Sequence, residues 1–469
     1  MSKTTVAAID LGATSGRVIV GAFGPAGLEL TEIHRFPNGF QELRGNAYWE
    51  TGALFREVRT GLQKAKNLFP DLSSAGVDTW GCDHALLSRE GRLAFPIHAY
   101  RDRRTEEIRD DIIAKKEDRR LFAATGLPTI NYNTGLQLAE SLQTFPSLRK
   151  SVDRVLMLSD YFNFLLTGEA VNEISQASTS QLLDVNGSDY SPTALDFFGI
   201  PGGWFARPHK AGEILGAIKD IKGLEKVQGI LVPGHDTSCA FEAIPLEGNS
   251  LIISSGTWNL VGTHATEPFL SEEAFRLGVS NERTGQGGYR PCKILLGLWL
   301  LEQVMPTFEK RPTSEAEWSS LISAAEECPF PDTLIDITDE ALFNPVDLRA
   351  TVDDQIRSNG GTPPDTLAGY MRCICASLAE AIASTARSFS AMSGKPFDRI
   401  IMVGGGSKNR LLCQSVANAS GVSVTSLNLE ATSVGNMAYQ LLALGAIPSL
   451  ADFHQTLRPS LNPHAYKPR

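Results

Sequence analysis

The sequence lacks the motifs of the common nucleotide and metal folds. It has no G-x-x-x-x-G-K-[ST] loop, and no G-x-G-x-x-G joins a strand to a helix. It also lacks C-x-x-C, H-x-x-x-H and H-E-x-x-H, so the usual zinc sites are excluded. Its cysteines (Cys82, Cys239, Cys292, Cys328, Cys373, Cys375 and Cys413) are odd in number and scattered. That usage suits buried free thiols in a reducing cytoplasm better than a disulfide framework. No basic block offsets the formal charge of -10. Neither nucleic acid nor a membrane is therefore expected as a partner. The apolar run "ILLGLWLL" (294–301) is far shorter than the ~20 residues that span a bilayer. The polar start, running directly into a strand, does not read as a signal peptide.

What is present is a mixed α/β chain of 469 residues, long enough for two to four domains at about 100–200 residues each. "VAAIDLGATSGRVIV" (6–20) reads as two apolar strands joined by a polar, glycine-rich turn, a β-hairpin. "LIISSGTWNLVGTHA" (251–265) repeats the pattern about half a chain later. Two domains of one design follow, 1–245 and 246–469. Between the hairpins, "SAGVDTWG" (74–81) reads as a strand that "CDHALLSREGRL" continues, turning at Glu90-Gly91. "DYFNFLLTG" (160–168) reads as a helix stopped by Gly168. "GILVPGHDTSCAFEAI" (229–244) reads as strand, Pro-Gly turn and helix. In the second half, Leu367, Met371, Ile374, Leu378, Ile382 and Phe389 recur at helical spacing, and Asp365 is placed to cap that helix. "RIIMVGGGSKNRLLCQSVA" (399–417) reads as strand, glycine loop and helix, with Ser407 and Asn409 as candidate caps.

Four short stretches carry the candidate chemistry. Asp10 ends an apolar strand immediately before Gly12, Ala13, Thr14, Ser15, Gly16 and Arg17. The glycines and hydroxyls suit phosphate, which a bare aspartate would repel. Mg²⁺ resolves the conflict, with Asp10 holding the ion directly or through water. An acidic turn capped by its own side chain is the alternative. Asp236, in "PGHDTS" between His235 and Thr237, follows a strand and opens a helix, where α/β ligands bind. It can be a general base or a helix cap. "VGGGSKN" (403–409) lets backbone approach a flat ligand closely. "DTWGCDH" (78–84) offers Trp80 for sugar stacking, or for core, with Asp83 and His84 for hydroxyls.

In this order the stretches resemble the FGGY carbohydrate kinases, part of the sugar kinase, actin and heat-shock ATPase superfamily. The likeness runs through "AAIDLGATSGRVIV", "GVDTWGCDHALL", "AYRDRRT", "DYFNFLLTG", "GHDTSCA", "SSGTWNLVG", "GLWLLE", "VGGGSKN" and "EATSVGN", nearly the whole chain. It implies two ribonuclease-H-like (actin/hexokinase-type) α/β domains with a cleft between them. It implies a monomer or homodimer that phosphorylates a small ketose with ATP and Mg²⁺. L-rhamnulose is the first expectation, with L-fuculose or a pentulose as alternatives. An actin- or chaperone-like ATPase with a protein partner is more remote. By the same resemblance, Ala13, Thr14, Ser15, Gly16, Arg17, Thr257 and Gly405 contact the nucleotide. Gly81, His235, Asp236 and Thr237 hold the sugar by that resemblance, with Asp236 as the proton acceptor; the residue readings above add Asp83 for the sugar and Asp10 for the metal. Two positions depart from the family pattern: Ile294 replaces an Asn, and Glu302 replaces a Gln, although Gln303 is adjacent. A lost donor to a sugar hydroxyl weakens discrimination between sugars, or tunes it to a different one.

Overall fold

The computed structural model describes residues 3–245, 248–309, 311–343 and 345–469. Two compact units divide the chain. One comprises Met1–Pro245, His264–Pro291 and Glu430–Ser460. The other comprises Leu246–Thr263, Cys292–Leu429 and Leu461–Arg469.

The first unit is built on β1 (Thr4–Leu11), β2 (Ser15–Gly24), β3 (Gly27–Pro37), β4 (Ser74–Thr79), β5 (Glu213–Ala217) and β6 (Gln228–Leu231), in spatial order β3-β2-β1-β4-β6-β5. The first hairpin forms as expected, with Asp10 opposite Arg17. β1 pairs in parallel with β4, and β4 with β6. Both central strands have apolar centres and are almost wholly buried, as strands covered on both faces must be, and the acids Asp10 and Asp78 lie near their carboxyl ends. The helix Ala431–Ala443 covers β1 and β4. It also approaches the helix Asp236–Glu242 so closely that a Cβ on Gly435 would lie 1.9 Å from the Cys239 carbonyl oxygen. Only glycine fits there.

The second unit repeats the design with β7 (Ser250–Ser255), β8 (Trp258–Gly262), β9 (Tyr289–Leu296), β10 (Arg399–Val403), β11 (Val424–Ser426) and β12 (His464–Tyr466), ordered β9-β8-β7-β10-β11-β12. β7 and β8 form the second hairpin, and β7, β10 and β11 run parallel. In both units an antiparallel meander is extended by parallel strands, the ribonuclease-H-like order. Leu367, Met371, Ile374, Leu378, Ile382 and Phe389 are buried along the helix Leu367–Ser393. Among the described residues, no helix is long and apolar enough to cross a membrane.

Three local expectations are corrected. The stretch after β4 does not continue that strand. Cys82 takes φ 72°, which breaks the extended run, and His84–Leu87 pairs instead with Arg154–Met157. The long helix is capped by Thr366, whose side chain accepts from the Gly369 N–H, not by Asp365. Asn409 caps Arg410–Ser420, whereas the Ser407 hydroxyl is bound to the Gly404 and Leu427 carbonyls.

Candidate active site

Three parallel strands end side by side in the first unit, and each contributes an acid at or just beyond its carboxyl end. Asp10 on β1 is in register with Asp78 on β4. The Thr79 N–H donates to the Gly234 carbonyl at 2.8 Å. His235 bridges to Thr79, so Asp236 follows at the same edge, the usual ligand edge of an α/β sheet. Asp10 and Asp236 are close enough that the charge of Asp236 raises the carboxyl of Asp10.

The three acids differ in surroundings. Asp10 is buried, and its Oδ2 accepts from Arg17 Nε at 2.9 Å. Burial raises its carboxyl, and the Arg17 guanidinium opposes this. Arg17 also pairs with Glu430 at 2.6 Å, so the cation expected to face phosphate is shared between two acids. Asp78 is fully buried. Asn436 Nδ2 donates to its Oδ2 at 2.6 Å, while Oδ1 has no partner among the described residues. Burial, then the charge of Asp10, pushes Asp78 well above the usual carboxylate range. Sequence reasoning missed Asp78. The available signal was an acid inside an otherwise apolar strand.

Asp236 is the most open of the three, with a side chain 31% exposed. It is the first residue of its helix, but its side chain does not cap that helix. Its Oδ1 accepts from the Thr237 N–H at 2.5 Å and from the Thr237 hydroxyl at 3.0 Å. No described residue bonds its Oδ2.

The first turn is braced by Asn38, which also escaped the sequence reading. Its Nδ2 donates to the Gly12 carbonyl at 2.7 Å, and its N–H to that of Thr14 at 2.9 Å. Ala13, Ser15 and Arg17 are half-buried, Thr14 is exposed and Gly16 is buried. Gly81 lies against Thr179, where a Cβ would meet that side chain at 3.0 Å.

Asp83 and Trp80 do not present themselves to a ligand. Asp83 is wholly buried. Its Oδ2 accepts from the indoles of Trp49 and Trp80 at 2.6 and 2.8 Å and from the Tyr100 N–H at 3.1 Å. Gln137 Nε2 donates to Oδ1 at 3.1 Å. Trp80 is 6% exposed and packs on Trp49 with ring centroids 4.2 Å apart. An acid wholly buried behind these donors ties neighbouring segments together and exposes no oxygen to a sugar. His84 is also buried, and burial lowers its imidazole to about 3.

In the second unit, Thr257 is exposed at the tip of the β7–β8 hairpin. The glycine loop lies against the same hairpin: Gly404, at φ 83°, would put a Cβ 2.6 Å from the Ser255 carbonyl oxygen. Gly405 is exposed beside it. Ile294 lies on β9 opposite Leu260, and Glu302 is exposed on Trp299–Val304.

The Pro-Gly turn before Asp236 rests on Glu173, another residue missed in the sequence. Glu173 Oε2 accepts from the N–H groups of Gly234 at 2.8 Å and Gln176 at 2.9 Å, and from the Ser175 hydroxyl at 2.5 Å. Burial raises its carboxyl to about 7, against the lowering effect of these bonds. A folded-state value above the unfolded one gives stability that is present at low pH and lost as pH rises through about 7. The advantage of wild type over Glu173→Gln in melting temperature is therefore expected to shrink from about pH 5 to pH 8. Thermal unfolding across that range checks it, and parallel curves would contradict it.

These features define a two-unit carbohydrate kinase. The chain belongs to the FGGY family of carbohydrate kinases: the family's N-terminal domain matches residues 5–241 and its C-terminal domain residues 251–444. Over 462 residues it is 34% identical to a rhamnulokinase of Klebsiella pneumoniae subsp. pneumoniae, covering 98% of this chain and 93% of that protein. It is 33% identical over 472 residues to a rhamnulokinase of Bacteroides thetaiotaomicron, covering 100% and 96%. A gluconate kinase structure from Lactobacillus acidophilus superposes with a TM-score of 0.83 at 14% identity, covering 100% of this chain and 94% of that one. At that identity the likeness establishes the fold. The chain is a phosphotransferase acting on a sugar.

Proposed function

We propose that the enzyme moves the γ-phosphoryl group of ATP to the C1 hydroxyl of L-rhamnulose, with Asp236 as general base. The observation that carries this reading is the state of Asp236. Thr237 holds one carboxylate oxygen, no described residue bonds the other, and the side chain is 31% exposed, beside His235 and at the same sheet edge as the 12–16 turn. The rhamnulokinase relatives, similar over nearly the whole chain, support the choice of ketose.

In this reading Gly81, His235 and Thr237 orient the ketose. Ala13, Thr14, Ser15, Gly16 and Arg17 take the ATP phosphates. Thr257 and Gly405 are the nucleotide contacts of the second unit. Asp236 Oδ2 receives the hydroxyl proton as the oxygen attacks phosphorus. Phosphoryl transfer leaves the protein mainly positioning and electrostatic work, and holding the reactants in line is worth about 7–11 kcal/mol.

The donor set fits magnesium. That ion binds through one or two carboxylates and keeps several waters. Arg17 occupies only Oδ2 of Asp10, which leaves Oδ1 for the ion or one of its waters. Among the described residues, no three His, Cys, Asp or Glu side chains are grouped to hold a metal, so most of the coordination shell would be water and phosphate. Bound there, magnesium would neutralise phosphate charge. Asp10→Ala is expected to raise the Mg²⁺ concentration for half-maximal turnover by about 10- to 100-fold, the loss of one charged contact. A titration matching wild type would remove Asp10 from that role.

The direct test is an ADP-release assay with Mg²⁺ over L-rhamnulose, L-fuculose, pentuloses and polyols. The highest kcat/KM is expected for L-rhamnulose. A clear preference for another ketose, or ATP turnover indifferent to every ketose, would overturn the proposal.

A further inference from the structure

Behind His235 lies an ion pair that the reaction as described does not use. Glu282 and Arg290 come from the segment His264–Pro291 of the first unit. Arg290 is fully buried and Glu282 is 4% exposed. Arg290 NH2 donates to Glu282 Oε2, and its guanidinium stacks over the Phe241 ring at 5.0 Å. Glu282 Oε2 lies 2.9 Å from His235 Nδ1. Ser280 Oγ also donates to Glu282, to Oε1, at 3.1 Å. On its other side, His235 Nε2 lies 3.5 Å from Asp236 Oδ1, too far for a hydrogen bond of ordinary strength.

These distances select one tautomer of His235. Burial alone would raise the Glu282 carboxyl, but the Arg290 guanidinium, with hydrogen bonds from His235 and Ser280, holds that carboxyl below its usual range. Glu282 is therefore an acceptor only. A bare Nδ1 lone pair facing it at 2.9 Å would be repelled, whereas an Nδ1–H gives a charge-assisted bond. Arg290 NH2 also lies 3.1 Å from Nδ1. Its stronger bond is to the carboxylate, which leaves the Nδ1 proton directed at Glu282. The ring nitrogen bonded to such a partner carries the hydrogen, and the other becomes an acceptor.

We propose that Glu282, anchored by Arg290, is the positioning residue that holds His235 as the Nδ1–H tautomer and presents Nε2 as an acceptor for a ketose hydroxyl. The inference rests on the sugar-kinase reading above. Nε2 and the open oxygen of Asp236 then face the sugar as two adjacent acceptors. One receives the proton of a neighbouring hydroxyl as a hydrogen bond, and the other takes the proton of the attacking hydroxyl. A polyol or deoxy analogue that lacks the neighbouring hydroxyl leaves Nε2 unpaired and is disfavoured.

Two measurements test this. In the wild-type protein at neutral pH, long-range ¹H–¹⁵N correlation of the imidazoles should give His235 the Nδ1–H pattern, its signals identified by their loss in His235→Asn. An Nε2–H tautomer or an imidazolium would overturn the proposal, and this measurement does not depend on any variant at Glu282 folding. The second is kinetic. Glu282→Gln should raise the ketose KM by about tenfold, the worth of one neutral hydrogen bond, with kcat and the KM for ATP little changed. In the His235→Asn background the same substitution should add almost nothing to the ketose KM, because the two residues act as one unit. Additive losses would overturn the positioning role. If wild type phosphorylates no ketose, the sugar-kinase reading fails, and the tautomer measurement still decides the state of His235.

Discussion

Asp236→Asn is expected to lower kcat by about 10²–10⁴-fold, the usual contribution of a general base, with the ketose KM changed only slightly. The substitution is nearly isosteric. An amide oxygen still accepts the two bonds from Thr237 that hold the side chain in place. What disappears is the capacity of the second oxygen to take a proton. No described residue competes for that oxygen, and the side chain is 31% exposed, so no neighbouring carboxylate is bonded there to replace it. Asp10 is tied to Arg17 and Asp78 is buried beneath Asn436. The measurement is steady-state kinetics at saturating ATP and Mg²⁺. Turnover near the wild-type rate would show that the attacking hydroxyl loses its proton elsewhere.

Asp83→Ala is expected to act on stability and not on sugar affinity, lowering the melting temperature by about 5 °C. Removing the carboxylate strands two buried indole N–H groups and the Tyr100 N–H, and takes one of the two acceptors of the Gln137 amide nitrogen, which still donates to the Tyr132 carbonyl. A buried donor left unpaired costs about 1–3 kcal/mol. Partial relaxation and entry of water bring the total to about 4 kcal/mol, within the range of severe core substitutions. Burial raises the Asp83 carboxyl to about 6 even against these bonds, so part of the cost of Asp83 itself is removed at low pH. The contribution of the protonated group is present at acid pH and fades as pH rises through about 6. The loss caused by the substitution is therefore largest below that value. Calorimetry against pH measures it. A mutant that melts like wild type but has a raised ketose KM would restore Asp83 as a sugar contact.

Asp10 and Asp83 show where sequence reading reaches its limit. Each is an acid within two residues of a glycine, and each follows a run headed by a buried strand. Nothing local separates them. The partners that do so lie elsewhere: Trp49 is 34 positions from Asp83 and Gln137 is 54 positions away. The relation of Glu173 to Gly234, 61 positions apart, is equally invisible. The cap of the long helix turned on a smaller matter, Thr366 against the adjacent Asp365, because either side chain can accept from the first turn. The hairpins were a different case. Their alternation, turn glycines and polar tips are all contained in about fifteen residues, and they formed as read.

The sequence by itself determined the two hairpins, the strand–glycine–helix turn at 403–409, the helix that opens at Asp236, and the family resemblance carried by those stretches. Each depends on interactions between residues near one another in the chain, which composition and spacing record directly. Only the tertiary structure decided which acids are open and which are consumed. It aligned Asp10, Asp78 and Asp236 along one sheet edge, closed Asp83 behind two tryptophans, and brought His264–Pro291 and Glu430–Ser460 into the first unit. A carboxylate's role is set by its solvent exposure and by the donors that reach it, and both come from parts of the chain distant in sequence.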